Sequence, residues 1–151
     1  MHSHAFSRAL VLFASAATLL LPGVASSKNG RDFMAYYRIH EVSQSGNAVL
    51  VNIQLKLFNY SGRDVTQGTV AVYDTQPMRT ALGGFKPVKL IRTRGEANLS
   101  QEFSVSRTEY ERWQQGANPV LLLLFKDSSG HALQRPIELI RRPLPPIEPA
   151  Q

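Results

Sequence analysis

Residues 47–74, NAVLVNIQLKLFNYSGRDVTQGTVAVYD, decide the fold because they contain two strand patterns joined by a turn. The first pattern alternates apolar with polar residues, and its apolar members are Val49, Val51, Ile53, Leu55 and Leu57. A period of two predicts a strand with one buried face. Residues 59–64 have turn composition, and the β-branched residues of segment 69–73 predict a second strand behind them. Two strands in this arrangement are typical of a β-sandwich.

Strand patterns continue on both sides of this pair. Residues 33–42 alternate, and the residues expected on the buried face are Phe33, Ala35, Tyr37 and Ile39. Residues 99–105 alternate in the same way. Residues 131–141 form the last predicted strand, which Pro136 makes partly an edge strand. Residues 75–84 lack a clean period and are predicted to be a loop between strands.

Two further segments have distinct strand signals. Residues 120–125 are apolar on both faces, which predicts a central strand covered on both sides. A buried helix is the rival interpretation, but Pro119 and the turn residues 127–130 bound the segment at strand length. Residues 85–92 contain Pro87 and three cations, which predicts an edge strand.

One helix is predicted, and it begins with a capping box. The Ser106 hydroxyl should accept from the amide three residues later, while Glu109 reaches back to the start of the helix. Tyr110 and Trp113 are three residues apart and share one face, and Gly116 is placed to end the helix. The two aromatic side chains are therefore expected to form an apolar plug at one end of the sandwich.

These patterns predict an all-β protein: an immunoglobulin-like β-sandwich of about seven strands, with one short helix before the penultimate strand. The helix is placed at about residues 106–116. The chain contains no cysteine, so it has neither disulfides nor thiolate zinc sites. Packing and hydrogen bonds alone must stabilise the domain.

The chain divides into three predicted parts. Residues 1–25 have the pattern of a secretory signal peptide, with a positive residue, an uncharged apolar core and small residues that fit cleavage after Ala25 or Ser26. The core is too short to span a bilayer of about 30 Å, which favours a cleaved signal over an uncleaved anchor. Residues 26–142 are the predicted domain, and residues 143–151 are a proline-rich tail expected to be disordered. The expected location is periplasmic or secreted, without a transmembrane span after cleavage.

Three short motifs carry a resemblance to known domains. They are FNYSG at residues 58–62, VAVYD at residues 70–74, and RGE at residues 94–96 ahead of Phe103. On these motifs the chain resembles the bacterial FxLYD and CARDB-type immunoglobulin-like domains over residues 49–105. The resemblance implies an extracytoplasmic, non-enzymatic sandwich module with no catalytic residues to carry over. The chain departs from that pattern in its predicted helix and in lacking a proline before the Gly-Glu turn.

Candidate catalytic and metal-binding residues are sparse after residue 25. The two histidines there, His40 and His131, are far apart, and neither has carboxylates at metal-ligand spacing. The chain has no G-x-S-x-G nucleophile motif. Glu109 and Glu111 are expected to be solvated residues of the helix rather than an acid–base pair. No catalytic residue, metal ligand or cofactor is therefore predicted, and a small secreted hydrolase with an unrecognised site is the alternative function.

The strongest functional signal in the sequence is electrostatic. Segment 79–94 contains no acid and five cations, which are Arg79, Lys86, Lys89, Arg92 and Arg94. On an edge strand these cations could contact an envelope protein, an anionic polymer or a lipid surface, or they could only protect the edge from aggregation. Export and the lack of interleaved aromatic residues argue against nucleic acid. The sequence thus predicts an exported, non-enzymatic binding or assembly module of the bacterial envelope that acts by edge-strand or electrostatic contact.

Overall fold

The computed structural model describes residues 31–75 and 80–141, which form nine strands and one helix. In chain order these are β1 (Phe33–Ser45), β2 (Ala48–Asn59), β3 (Val65–Tyr73), β4 (Ala81–Gly84), β5 (Val88–Ile91), β6 (Glu96–Ser106), α1 (Arg107–Gln114), β7 (Val120–Lys126), β8 (Ala132–Pro136) and β9 (Glu138–Arg141). The helix has eight residues, and within these two ranges nothing helical is long and apolar enough to cross a membrane.

The strands form two sheets. The first, called here the β1 sheet, has the order β6-β2-β1-β9, and the second, the β3 sheet, has the order β4-β3-β7-β8 with β5 also paired to β3. Strand β2 lies between β1 and β6, and β7 lies between β3 and β8, as strands B and F do in an immunoglobulin-like sandwich. The prediction of an all-β sandwich with one short helix is therefore confirmed.

The alternation seen in the sequence fills the space between the sheets. All five apolar residues singled out in β2 are at most 3% exposed. In β1, Phe33, Ala35 and Tyr37 are buried and Ile39 is half-buried, as predicted. The ring of Phe33 meets that of Phe125 in β7 edge to face, with centroids 6.0 Å apart, and so connects the two sheets.

The prediction of one last strand over residues 131–141 is wrong, because this segment forms two strands in different sheets. Strand β8 pairs antiparallel with β7, and β9 pairs parallel with β1. The chain changes sheets at Pro136, which has no N–H for a ladder. The next residue, Ile137, is buried and donates its N–H to the Leu121 oxygen at 3.1 Å. The helix consequently precedes three strands, so its placement before the penultimate strand is also wrong.

The prediction of a loop over residues 75–84 is partly wrong, because the last four residues of this segment form β4. This strand pairs with β3 through Ala71 to Gly84 and Val72 to Gly83. Backbone pairing needs no side-chain pattern, so glycines that signal a loop in the sequence do not prevent it here. Residues 76–79 of the segment, including Arg79, lie outside the described residues.

Strand β7 is central, as its apolar sequence predicts, but it is not covered on both faces. Its inward residues Leu121, Leu123 and Phe125 are buried. Its outward residues Val120, Leu122 and Leu124 are only half-buried, flanked in register by side chains of β3 and β8. The uninterrupted apolar run therefore reflects a central strand with one half-exposed face.

Asn59 ties the turn after β2 to the end of β5. Its side chain is fully buried, and its amide nitrogen donates to the carbonyl oxygens of Arg63 at 2.8 Å and Ile91 at 3.1 Å. Its amide oxygen accepts from the N–H and the hydroxyl of Ser61 at 3.0 and 2.7 Å. One buried polar side chain thus connects residues 61 and 63 of the turn to the end of β5.

Replacing Asn59 with alanine is expected to lower the free energy of unfolding by about 2 kcal/mol, because the buried carbonyl group of Ile91 loses a donor and the Ser61 donors lose their acceptor. Urea unfolding followed by the fluorescence of the single tryptophan measures this change. The matched control is Asn98→Ala, at an exposed asparagine of β6 whose side chain bonds to no other described residue, with an expected change within about 0.5 kcal/mol. Equal losses in the two variants would contradict the role assigned to Asn59.

Candidate binding surface

The basic edge, defined as Lys86, Lys89, Arg92 and Arg94, follows the open side of the β3 sheet. Lys86 precedes β5, Lys89 lies within it, and Arg92 and Arg94 lie between β5 and β6. All four side chains are exposed. Strand β5 is an edge strand, as the sequence predicts: it begins directly after Pro87, and among the described strands it pairs only with β3.

Buried neighbours hold the first half of this segment in place. Phe85 is 3% exposed, packs against the ring of Phe103 at 5.1 Å, and donates its N–H to the Val70 oxygen at 2.9 Å. The Gln101 side chain accepts from the Lys86 N–H at 3.0 Å and donates to the Gly84 oxygen at 2.7 Å. These contacts join the edges of the two sheets and hold the backbone of Lys86 in position.

The second half is held by the turn between β5 and β6. Ile91 is completely buried, and the Gly95 N–H donates to the Arg92 oxygen at 2.8 Å. Arg94 has a φ of 57°, a value that a residue other than glycine adopts only when its surroundings hold it there. Its N–H donates to the Asn59 oxygen at 2.7 Å, and this bond supplies such a restraint.

The charges of the basic edge are not neutralised by the described part of the domain. The ion pairs among the described residues involve other basic side chains: Arg31 with Glu138, Lys56 with Glu96, Arg112 with Glu109, and His131 with Asp127. The acid that does contact this segment, Asp64, accepts from the Thr93 N–H at 2.7 Å. The structure thus brings together four of the five cations predicted from the sequence; Arg79 lies outside the described residues.

The opposite end of the sandwich holds a buried carboxylate that the sequence does not predict. Ser106 caps the helix as expected, since its hydroxyl accepts from the Glu109 N–H at 3.1 Å. However, the Glu109 side chain is buried rather than solvated. Its Oε1 accepts from the Thr75 N–H at 2.6 Å, the Thr75 hydroxyl at 2.5 Å and the Trp113 indole at 2.6 Å. Ser106 is itself the last residue of β6, opposite Ala48, and the carboxylate points inward instead of completing the capping box.

Further polar contacts close this end around Trp113. Arg141 donates from Nη2 to the Trp113 carbonyl oxygen at 2.8 Å. The Tyr37 hydroxyl donates to the side-chain oxygen of Asn118. Burial raises the pKa of Tyr37 above its ordinary value, and the charge of Arg141 opposes that rise in part. These groups connect the helix to β1 and β9 and have a structural role.

The two histidines lie apart, as their sequence positions suggest. His40 is exposed on β1, opposite Asn52. His131 follows the β7–β8 turn, and its Nδ1 is 3.4 Å from Asp127 Oδ2. Hydrogen bonds from the backbone N–H groups of His131 and Ser129 lower the pKa of the Asp127 carboxyl. In residues 31–75 and 80–141, no three side chains suited to a metal ion come together.

Comparisons with known proteins do not assign this chain to a family. No protein-family model matches the chain, and no curated protein matches it. Among solved structures, the chain is similar to a GH20 exo-β-N-acetylglucosaminidase from Vibrio harveyi in complex with N-acetylglucosamine and to an inactive mutant of that enzyme. In both cases the identity is 12%, the TM-score is 0.41, and the alignment covers 72% of this chain but 18% of the other.

Proposed function

We propose that the protein is an exported, non-enzymatic binding module of the bacterial envelope whose basic edge contacts an anionic surface. The observation that carries this proposal is the set of four exposed cations on one edge, none of which pairs with a carboxylate of the described residues. Buried neighbours hold the backbone that bears them, so little backbone ordering would accompany binding. The signal-peptide pattern at residues 1–25 supports export.

At the basic edge, charge rather than strand addition is the favoured mode of contact. A partner strand that extends a sheet needs a run of free backbone groups along an exposed edge. Strand β5 is four residues long and is preceded by Pro87, and both features make a strand edge a poor template. Long cationic side chains can instead reach phosphate or carboxylate groups without any backbone pairing.

The arrangement of hydroxyl groups supports a non-enzymatic role. A serine or threonine nucleophile needs a base within hydrogen-bond reach. Neither His40 nor His131 bonds to a hydroxyl group of the described residues. Among the described residues, the threonine hydroxyl that does bond to a carboxylate is that of Thr75, and its acceptor is the buried Glu109, which also accepts from the Trp113 indole.

Vesicle binding tests this proposal with two pairs of substitutions. Each lysine or arginine near an anionic surface contributes about 1 kcal/mol. The variants Lys86→Gln/Lys89→Gln and Arg92→Gln/Arg94→Gln are therefore each expected to bind phosphatidylglycerol-containing vesicles about 30-fold more weakly than the unchanged chain. Co-sedimentation at low salt measures the effect, and binding should weaken further at high salt.

The control changes the same number of charges at another place. Arg107 and Lys126 lie outside the basic edge, at the start of the helix and the end of β7. The variant Arg107→Gln/Lys126→Gln should bind vesicles within about threefold of the unchanged chain, because it lowers the net charge without touching the proposed surface. Equal losses in all three variants would show that net charge alone drives binding and would refute a specific basic edge.

A further inference from the structure

The outer face of the β1 sheet contains a shallow groove that is separate from the basic edge. It crosses β1, β2 and β6 and has a volume of about 340 Å³. Strand register places its outward side chains in two adjacent rows across the three strands: Tyr36, Lys56 and Asn98 in the first row, and Arg38, Gln54 and Ser100 in the second. Neither row has a role in the contacts that connect the two sheets.

Aromatic rings extend the groove at one end. The Phe58 ring meets the Tyr36 ring edge to face at 5.7 Å and stacks on the Tyr60 ring at 6.2 Å, with 10° between the stacked planes. Tyr60 is 54% exposed. A large aromatic ring exposed to water beside other rings does not contribute to the core. Such an exposed aromatic patch is a candidate contact surface for a ligand. The apolar C–H face of a sugar ring is a suitable partner for an exposed aromatic face.

Polar groups with unused hydrogen-bonding capacity form the rest of the groove. The side chains of Gln54 and Asn98 bond to no other described residue, and each amide offers both donors and acceptors. Neighbouring hydroxyl groups on a sugar present the same mixture of donors and acceptors. From Gln54 in β2 to Tyr60, directly after its end, the chain spans about 20 Å, which suits an oligosaccharide rather than a single sugar.

The charge of the groove indicates which kind of sugar it would take. Lys56 is paired with Glu96 at 3.3 Å, so those two charges balance. Arg38 is half-buried and forms no ion pair within the described chain. A guanidinium group binds a carboxylate through two parallel hydrogen bonds. The groove therefore has one excess positive charge, held on a side chain suited to carboxylates.

We propose that this groove binds an acidic polysaccharide of the hexuronate type. One sugar ring stacks on Tyr60, hydroxyl groups bond to the amides of Gln54 and Asn98, and a sugar carboxylate pairs with Arg38. The basic edge contributes no side chain to these contacts. The groove proposal therefore stands or falls separately from the proposed vesicle contact.

Titration calorimetry with hexagalacturonate, and with maltohexaose as the neutral comparison, tests this assignment on the purified chain. The variant Arg38→Gln should raise the Kd for hexagalacturonate at least tenfold, since it removes a charge-assisted pair. The variant Tyr60→Ala should raise it about fivefold or more through the loss of the stacking surface. Lys86→Gln/Lys89→Gln should change it less than threefold. Binding should weaken with salt, and maltohexaose should bind at least tenfold more weakly than hexagalacturonate.

Several results would overturn the proposal. One is the absence of hexagalacturonate binding, and another is equal affinity for maltohexaose. A third is an unchanged Kd in folded Arg38→Gln and Tyr60→Ala variants, with circular dichroism used to verify folding. Loss of stability in Tyr60→Ala with no loss of binding would assign the aromatic rings to cross-strand packing alone. Vesicle binding that depends on Arg38, without sugar binding, would refute the carbohydrate assignment.

Discussion

Replacing Glu109 with alanine is expected to lower the free energy of unfolding by about 4 kcal/mol. The side chain is 2% exposed, and its Oε1 accepts three hydrogen bonds, two from Thr75 and one from the Trp113 indole. Alanine would leave the buried indole N–H and the half-buried Thr75 donors without this acceptor, and each unsatisfied buried group costs about 1–3 kcal/mol. Urea unfolding followed by tryptophan fluorescence measures the loss.

Two further substitutions separate the hydrogen bonds from other effects of the change. Glu109→Gln keeps the volume and one acceptor oxygen, and it should cost about half as much as alanine. It should still be destabilising, because Glu109 Oε2 lies 3.8 Å from Arg112 Nη1 and an amide nitrogen there would face a cation. Glu111→Ala, at an exposed position of the same helix, should change stability by less than about 0.5 kcal/mol. A Glu109→Ala variant as stable as Glu111→Ala would contradict the structural role of the carboxylate.

Glu109 also marks the limit of what the sequence predicts about this end of the domain. The spacing of Ser106 and Glu109 predicts where the helix begins, and the Ser106 cap forms as expected. The destination of the carboxylate depends on Thr75, which is 34 residues away in the chain. A capping-box pattern contains only local information, so it cannot distinguish a solvated glutamate from one that binds a distant turn.

The strands show the same division between local and distant information. Alternation in β2 predicts its buried residues because one sheet face determines every second position. Pro136 interrupts the ladder between β8 and β9, but the sequence does not predict the split, because the choice of sheet for each half depends on the partners β7 and β1. The sequence does not predict strand β4, because glycines have no side chains to form an alternating pattern.

The candidate binding surfaces differ in how far the sequence anticipates them. The basic edge is a run of cations within one segment, so the sequence alone identifies all four of its members. The groove brings together residues from β1, β2 and β6, and its rows depend on the register of β6 against β2, more than 40 residues apart. Nothing in residues 36–38 alone indicates that Arg38 lies beside Gln54, in one row with Ser100 across β2.

Replacing Trp113 with alanine is expected to cost about 4 kcal/mol of stability, in the range measured for large aromatic residues in cores. The indole is 1% exposed and belongs to the main hydrophobic core, so the apolar plug predicted from the sequence is confirmed. Unfolding of this variant must be followed by circular dichroism, because Trp113 is the only tryptophan. A loss below about 1 kcal/mol would contradict its role in closing the sandwich.

The conservative variant Trp113→Phe isolates the contribution of the indole N–H. Phenylalanine keeps an aromatic ring in the core but cannot donate to Glu109 Oε1, which Trp113 does at 2.6 Å. We expect a loss of about 2 kcal/mol from the missing bond and the smaller ring. In a double-mutant cycle with Glu109→Ala, the two substitutions should deviate from additivity by about 1 kcal/mol or more, because each removes the partner of the other. Additive losses would mean that the bond between these two residues adds no stability.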